Sequence, residues 1–336
     1  MSELPAQPDR ATSAPDSATA LLCPDPGFAA IEVSGDDAAA FLQGQLSSDV
    51  RALAPGEAQY SSYNSAKGRV LANLVAARLP ADAPATRYAL VLARELARPI
   101  RERLAKYVLR AKVELADRSA DWPLFGLAGG GAAAALASAG LAPSPLAIAH
   151  RDRAFALGLA DGRALVFGAA AAVAPLRTAL QSSAQLIDRA AWLRADIDAG
   201  IAWVVPATSE LFVAQMLNWD VVGGISFSKG CYPGQEIVAR MHYLGRLKER
   251  LLAFETDADD VAPGATLRSA SFGEQACGTV AVAAPDPAGG MRLLAVAQLA
   301  AAAAGDLALA DHPNARLVAR PLPYTVPPAG ATVPRS

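Results

Sequence analysis

Lys229-Gly230-Cys231-Tyr232-Pro233-Gly234-Gln235-Glu236 is the most unusual stretch of the chain. It closes a longer segment, Ala207–Glu236, in which Gly223, Gly224, Gly230 and Gly234 surround a lone thiol. So many glycines imply tight turns or close approach of backbone. Gly234 opens a run with Ile237, Val238, Met241 and Leu244 at helical spacing, so the thiol lies just ahead of a predicted helix N-terminus, two residues from a lysine. Both neighbours favour a thiolate. An ordinary thiol, with a pKa of about 8.5, is roughly 10% ionised near pH 7.5. A downward shift of about one unit, equivalent to about 1.4 kcal/mol, would make it about half ionised, a usable nucleophile or soft metal ligand. The competing reading is a small apolar cysteine packed in a turn.

Outward from this segment the pattern is mixed. On its N-terminal side, Ala29–Val33 reads as a strand, with polar Glu32 alternating against Ile31 and Val33. Ser34-Gly35-Asp36 then turns into a helix carrying Ala39, Phe41, Leu42 and Leu46. Ala58–Asn64, Val70–Ala77, Tyr88–Leu92 and Ala111–Leu115 read as strands. Arg98–Leu109 reads as a helix with Pro99 in its first turn, where proline is tolerated. A second block holds strands at Leu124–Leu127, Ala154–Leu157 and Ala164–Val166, and helices at Ala132–Ala139, Ala170–Gln181 and Trp192–Ala199. From Arg250 the texture changes to short strands: Leu251–Glu255, Cys277–Ala283, Arg292–Leu299 and Ala315–Ala319. The expected organisation is a disordered tail over 1–20, an α+β module over 21–120, a second α+β module over 121–245, an all-β module over 246–325 and a tail over 326–336.

Composition sets the bounds. The 336 residues are 53% apolar and carry 30 Lys and Arg against 32 Asp and Glu, a net charge of −2. That balance lacks the whole-molecule basic footprint of a dedicated nucleic-acid binder. A mean hydropathy of +0.24 comes largely from alanine runs such as Ala132–Ala135, Ala169–Ala172 and Ala300–Ala304. No stretch has the Leu, Ile, Val and Phe content of a membrane span. Three dispersed cysteines, Cys23, Cys231 and Cys277, form no disulfide framework and fit a reducing cytoplasm. They cannot build a four-thiolate cluster, and His150, His242 and His312 have no metal-binding spacing, so no permanently bound metal is expected.

The Lys229–Glu236 octapeptide resembles the K-G-C-[FY]-x-G-Q-E signature of the YgfZ branch of the aminomethyltransferase-like, folate-binding superfamily. The resemblance extends to Gly35–Asp49 with its Phe41-Leu-Gln-Gly-Gln45, to Tyr63–Arg69, Trp192–Gly200, Ala207–Asn218 and Gly223–Phe227. It implies an α+β fold of two α+β modules and a C-terminal β-barrel around a central cleft that holds tetrahydrofolate or a derivative. A pterin is flat, aromatic and rich in donors and acceptors, so its site needs ring faces and a carboxylate or amides at its edge. By the resemblance, Trp192 and Phe28 fall where aromatic folate contacts are expected, although Phe28 replaces a more usual tryptophan. Asp198 falls where related transferases place a glutamate in an R-x-E-A-G-like segment. Arg240, with Arg246, Lys248 and Arg250, is a candidate for the anionic glutamyl tail. A solvated helix face explains Lys248 and Arg250 equally well.

One departure bears on catalysis. Related aminomethyltransferases carry paired aspartates after a Lys/Gly turn, and Ala72 and Asn73 stand at those places here. Asparagine neither holds the charge nor transfers the proton of a carboxylate, so glycine-cleavage chemistry is not expected. The sequence therefore points to a folate-binding accessory protein that supports assembly or repair of iron–sulfur cluster enzymes, including tRNA-modifying ones. The alternative is a folate-dependent one-carbon transferase of unknown substrate. Cys231 is the expected working thiol and a candidate transient metal ligand, with Lys229 favouring the anion and Glu236 a candidate acid or base. Gly230, Gly234 and Gln235 would shape the loop. The expected partners are folate and iron–sulfur assembly proteins or client enzymes, with neither a membrane nor direct contact to nucleic acid.

Overall fold

A computed structural model describes residues 19–80, 86–244, 247–273 and 275–328. The expected N-terminal tail, up to residue 18, and the expected C-terminal tail, from residue 329, lie outside the described residues, as does Arg246. Three antiparallel-rich sheets make the architecture. The first is five-stranded, in the order Ala58–Asn64, Val70–Arg78, Arg87–Ala93, Phe28–Ser34, Glu114–Asp117. Its strands other than the edge strand Glu114–Asp117 are buried on both faces, so alternation does not mean exposure. Glu32, the polar residue that alternates with Ile31 and Val33, is only 5% exposed and is bracketed by Arg87 at 2.6 Å and Arg118 at 2.7 Å. Such a carboxylate is tolerated inside because it is paired on both oxygens.

Helix Arg94–Ala105 lies on this sheet and buries Leu96, Ala97, Ile100 and Leu104. The helix starts four residues before the expected Arg98 and ends before the expected Leu109, because it grows directly out of strand Arg87–Ala93. Pro99 consequently sits inside the helix on its exposed side rather than in the first turn. The chain leaves the helix through Tyr107–Leu109, with Leu109 in the left-handed region at φ 45°.

The second sheet has six strands, in the order Gln185–Leu186, Leu21–Cys23, Leu124–Ala128, Ala164–Gly168, Ala154–Gly158, Ile148–Arg151. The alanine runs find their use here. Helices Ala132–Ser138 and Ala170–Gln181 pack on one face around Leu136, Val173, Leu176 and Leu180. Leu21–Cys23 belongs to this sheet, parallel to Gln185–Leu186 and antiparallel to Leu124–Ala128, and so departs from the expected module boundary. The third sheet is a six-stranded antiparallel half-barrel, in the order Leu307–Leu309, Thr266–Ser269, Ala276–Pro285, Met291–Gln298, Glu249–Thr256, Leu317–Arg320. Two α+β modules and a C-terminal β-barrel module surround a central cleft. Among the described residues no helix is long and apolar enough to cross a membrane.

The segment that follows helix Arg189–Asp198 does not stay with the second sheet. It returns to the first, where Val70 N–H donates to Phe212 O (2.8 Å), Ser226 N–H to Ser47 O (2.9 Å) and the Trp219 indole to Ser61 O (3.0 Å). The glycine-rich segment read from the sequence as part of the second module is thereby docked against the first.

Candidate functional site

The signature octapeptide is seated by two glycines that touch. Gly234 has φ +78°, and a Cβ there would come within 2.5 Å of Gly68 Cα and 2.6 Å of Ser65 O. Gly68, at φ +72°, would in turn strike Ile237 at 2.7 Å. No larger residue fits either position, and both need the left-handed backbone that glycine takes freely. Gln235 then begins helix Gln235–Leu244, as the spacing predicts, with Glu236 exposed in its first turn. Gly230 is exposed with open space around it, and Cys231 beside it is an exposed free thiol.

Lys229 is arranged differently from its expected role. It is 8% exposed; its Nζ donates to Gln43 O at 2.6 Å and to Leu46 O, and lies 4.9 Å from the centre of the Tyr232 ring. Burial pushes its pKa down to about 8, against the pull of the Asp49 carboxylate. The ammonium is thus directed at carbonyls of the first module. It clamps the loop that presents Cys231, and the thiol stands outward beyond it.

The basic run after the signature divides. Arg240 is exposed on its helix, and Lys248 is exposed beyond it. Arg250 is 3% exposed and forms a fork on Asp220 at 2.6 and 3.0 Å, with a further bond to Gln215 O at 2.9 Å. It is a buried structural cation. His242 stacks on Phe227 with ring centres 3.8 Å apart.

A cavity of about 680 Å³ lies where the modules meet. Tyr60, Trp203 and Tyr324 give it aromatic walls, and Arg163, Asp196 and Asp198 its charge. Tyr60 and Trp203 stand 6.1 Å apart between ring centres, and each also meets Trp219, at 5.4 and 6.0 Å. The two aromatic residues expected from the family pattern lie one layer further in. Phe28 is buried edge-on behind Trp203 at 5.1 Å, and Trp192 is wholly buried. Trp192 fills the place of a side chain at Gly126, whose Cβ would fall 2.3 Å from the indole, and the Arg163 guanidinium covers its ring at 4.5 Å. The physical reason is helical geometry. Trp192 and Asp196 share one face of helix Arg189–Asp198 under Arg163; the tryptophan fills the space over Gly126, and the aspartate, one turn further along, reaches the cavity.

Asp196 is therefore the cavity's inner carboxylate. One oxygen accepts from Arg163 Nη2 at 2.6 Å, and the same arginine holds Asp161 at 2.6 Å. Oδ2 is buried without a hydrogen-bond partner, as is Trp203 Nε1. The indole N–H is close enough to favour the Asp196 anion but not placed to complete a bond with it. Desolvation raises the pKa of Asp196, with Arg163 opposing. Asp198, by contrast, lies at the exposed rim and pairs with Arg292 at 3.1 Å. Three ring faces beside the Arg163–Asp196 pair fit the flat, donor-rich pterin that the family resemblance implies.

Two further residues set the walls. Asn73 Nδ2 donates to Ala202 O at 2.7 Å while its Oδ1 accepts from Val204 N–H at 2.7 Å, so one amide grips the backbone on both sides of Trp203. Tyr324 donates to Gly200 O at 2.7 Å and accepts from Asn218 Nδ2 at 3.3 Å, bringing the chain's end across the cavity. Gly200, at φ +69°, leaves room for that ring, since a Cβ would lie 2.7 Å from it. Sequence reasoning missed Tyr60, Arg163, Asp196, Trp203 and Tyr324. The available signals were the spacing from Trp192 to Asp196 and the tryptophan three residues beyond Gly200.

No residue of Lys229–Glu236 lines the cavity, so the thiol loop and the aromatic cavity are separate features. Cys23 and Cys277 are buried, and burial pushes Cys23 up to about 11. Among the described residues no group of three or more His, Cys, Asp or Glu could hold a metal ion.

Comparison with known proteins agrees with this architecture. Residues 21–144 match the GCVT N-terminal domain. The aminomethyltransferase T of the glycine cleavage system from Bartonella henselae superposes with a TM-score of 0.67 at 18% identity, covering 84% of this chain and 79% of that one. At that identity the likeness establishes the fold. The tRNA-modifying protein YgfZ of Edwardsiella ictaluri is 32% identical over 305 residues, 88% of this chain and 89% of that protein. Its counterpart in Serratia proteamaculans is 31% identical over 95% of this chain and 97% of its own length. Similarity of this extent, along nearly the whole of both chains, makes this protein a member of the YgfZ family.

Proposed function

We propose that the protein is a folate-binding accessory factor that supports assembly or repair of iron–sulfur enzymes, among them enzymes that modify tRNA. The observation that carries the folate part is the aromatic-walled cavity of about 680 Å³ where the modules meet, with the Arg163–Asp196 ion pair at its inner wall. A tetrahydrofolate ring system, flat and polar at its edge, suits ring walls beside a charged pair. Tyr60, Trp203 and Tyr324 would bind its faces, and Asp196, oriented by Arg163, its polar edge.

The transferase alternative is disfavoured by Asn73. Its amide is fully committed to two backbone groups and holds no proton for transfer. The accessory role instead rests on Cys231, an exposed thiol on a loop held rigid by Gly234 and Lys229, suited to exchange with a partner protein or a cluster in transit.

Calorimetric titration with tetrahydrofolate tests the reading. Micromolar binding is expected, weakened about tenfold or more, equivalent to about 1.4 kcal/mol, by Trp203→Ala and by Asp196→Asn. Absence of binding, or variants that bind as well as the parent, would remove folate from the function.

A further inference from the structure

Residues 94–112 carry seven of the chain's 30 Lys and Arg against two carboxylates, in a protein whose net charge is −2. Some of this charge is answered locally. Arg94 pairs with Asp25, Arg98 with Glu102 and Lys112 with Asp36, and Glu95 is taken by Arg189. Arg101, Arg103, Lys106 and Arg110 are left with no ion pair among the described residues. Favourable placement near a helix C-terminus accounts for Arg103 and Lys106. It does not account for Arg110, which lies beyond the helix, nor for the apolar groups set among these cations. Tyr107 is 51% exposed and Leu109 is 88% exposed.

We propose that this face, the C-terminal end of helix Arg94–Ala105 and the turn after it, is a docking surface for RNA through an unpaired loop or end, a local contact that reverses the expectation drawn from the chain's overall charge. Arginines outnumber lysines among the unpaired cations, and the guanidinium fork matches phosphate oxygens. The phenol of Tyr107 offers a stacking platform to a splayed base, which a regular duplex does not present. An acidic protein would satisfy the charge but leaves Tyr107 without a role. The surface goes beyond the folate cavity and shares no lining residue with it. It adjoins the thiol loop instead. The Arg103 guanidinium lies near Tyr63, and the turn just past Tyr63 supplies Ser65 and Gly68, which seat Gly234. A basic stripe of this kind is compatible with a slightly acidic chain because phosphate contacts are screened within about 8 Å at physiological salt.

The test is fluorescence anisotropy of a labelled stem-loop RNA with the full-length protein between about 50 and 200 mM salt. Contact by four cations predicts that log K falls against log salt with a slope of about −3, taking about −0.7 for each phosphate neutralised on a single strand. The double variant Lys106→Glu, Arg110→Glu should weaken binding at least about tenfold and flatten the slope. Tyr107→Ala should weaken it about fivefold or more with the slope unchanged, because stacking releases no counterions. All these positions are exposed, and unchanged tetrahydrofolate titrations on the same proteins separate this surface from the cavity. No RNA binding, or binding indifferent to the double variant, overturns the proposal. So does polyglutamate binding as tight as RNA and insensitive to Tyr107→Ala, which would assign the face to an acidic protein.

Discussion

Asn73 reaches across from strand Val70–Arg78 and holds Trp203 in place by bonding the carbonyl before it and the amide after it, each at 2.7 Å. The two bonds need one donor and one acceptor on the same side chain, which asparagine has and an ionised aspartate lacks. At the place where related transferases carry a carboxylate, this chain uses an amide to fix a cavity wall.

Asn73→Asp should therefore destabilise the protein by about 2 kcal/mol at neutral pH, since it sets a carboxylate oxygen against Ala202 O. Burial would raise the new carboxyl's pKa above its unfolded value, so the deficit is largest above that folded pKa. It shrinks as the pH falls through it, because the protonated acid donates again. Urea unfolding of parent and variant between pH 5 and 8 measures this; equal stability at neutral pH would deny Asn73 its clamping role.

Cys231→Ala should leave stability within about 0.5 kcal/mol of the parent, the thiol being exposed. In a strain lacking the protein, the same variant should fail to restore iron–sulfur enzyme activity. Full restoration would take Cys231 out of the mechanism.

Lys229→Met should cost about 1–3 kcal/mol by stranding Gln43 O and Leu46 O. The pH profile distinguishes the parent. Its Lys229 titrates at about 8 when folded and at 10.5 when free. Between these values the unfolded chain holds the proton that the folded protein has lost, so the lysine's contribution becomes more favourable as the pH rises through that window. Parent minus variant stability should grow from pH 8 towards 10; a flat difference would mean the lysine keeps its ordinary affinity for protons.

Arg250→Met should be severe, about 3–5 kcal/mol, because it leaves the Asp220 carboxylate buried and unpaired. Arg240→Ala, on an exposed helix face, should stay within about 0.5 kcal/mol. Thermal unfolding of the two side by side checks the contrast, and a mild Arg250 variant would mean that Asp220 finds water.

Local pattern made much of the fold legible. Ala58–Asn64 and Ala170–Gln181 fall on the expected residues, because a short run bounded by the turn signals Pro55-Gly56 and Lys67-Gly68 and an alanine-rich helical run are each decided within a few neighbours. Leu21–Cys23 and Gln185–Leu186 were not legible: strands this short exist only through partners far along the chain. The same distinction runs through the site. Gly234 and Gln235 were readable as a turn and a helix start. The exchange of Trp192 for Trp203 at the cavity, and of Asp198 for Asp196 at its interior, depended on how one helix turns against a sheet the sequence does not display. Arg250 shows the reverse error of pattern, a charge in a basic run that looks solvated and is enclosed by Asp220 and Gln215.

Strand Leu21–Cys23 lies between Leu124–Ala128 and Gln185–Leu186, whereas the next strand, Phe28–Ser34, is an inner member of the first sheet. During synthesis this early strand leaves the ribosome long before either neighbour exists. Its slot completes only when the chain has grown past residue 186, at typical elongation rates about 10–30 s later. The first sheet can close in that interval and Leu21–Cys23 can meet Leu124–Ala128, but its parallel pairing with Gln185–Leu186 cannot form. The second sheet is therefore completed late, and a chain released early would carry Leu21, Leu22 and Cys23 without their full set of partners.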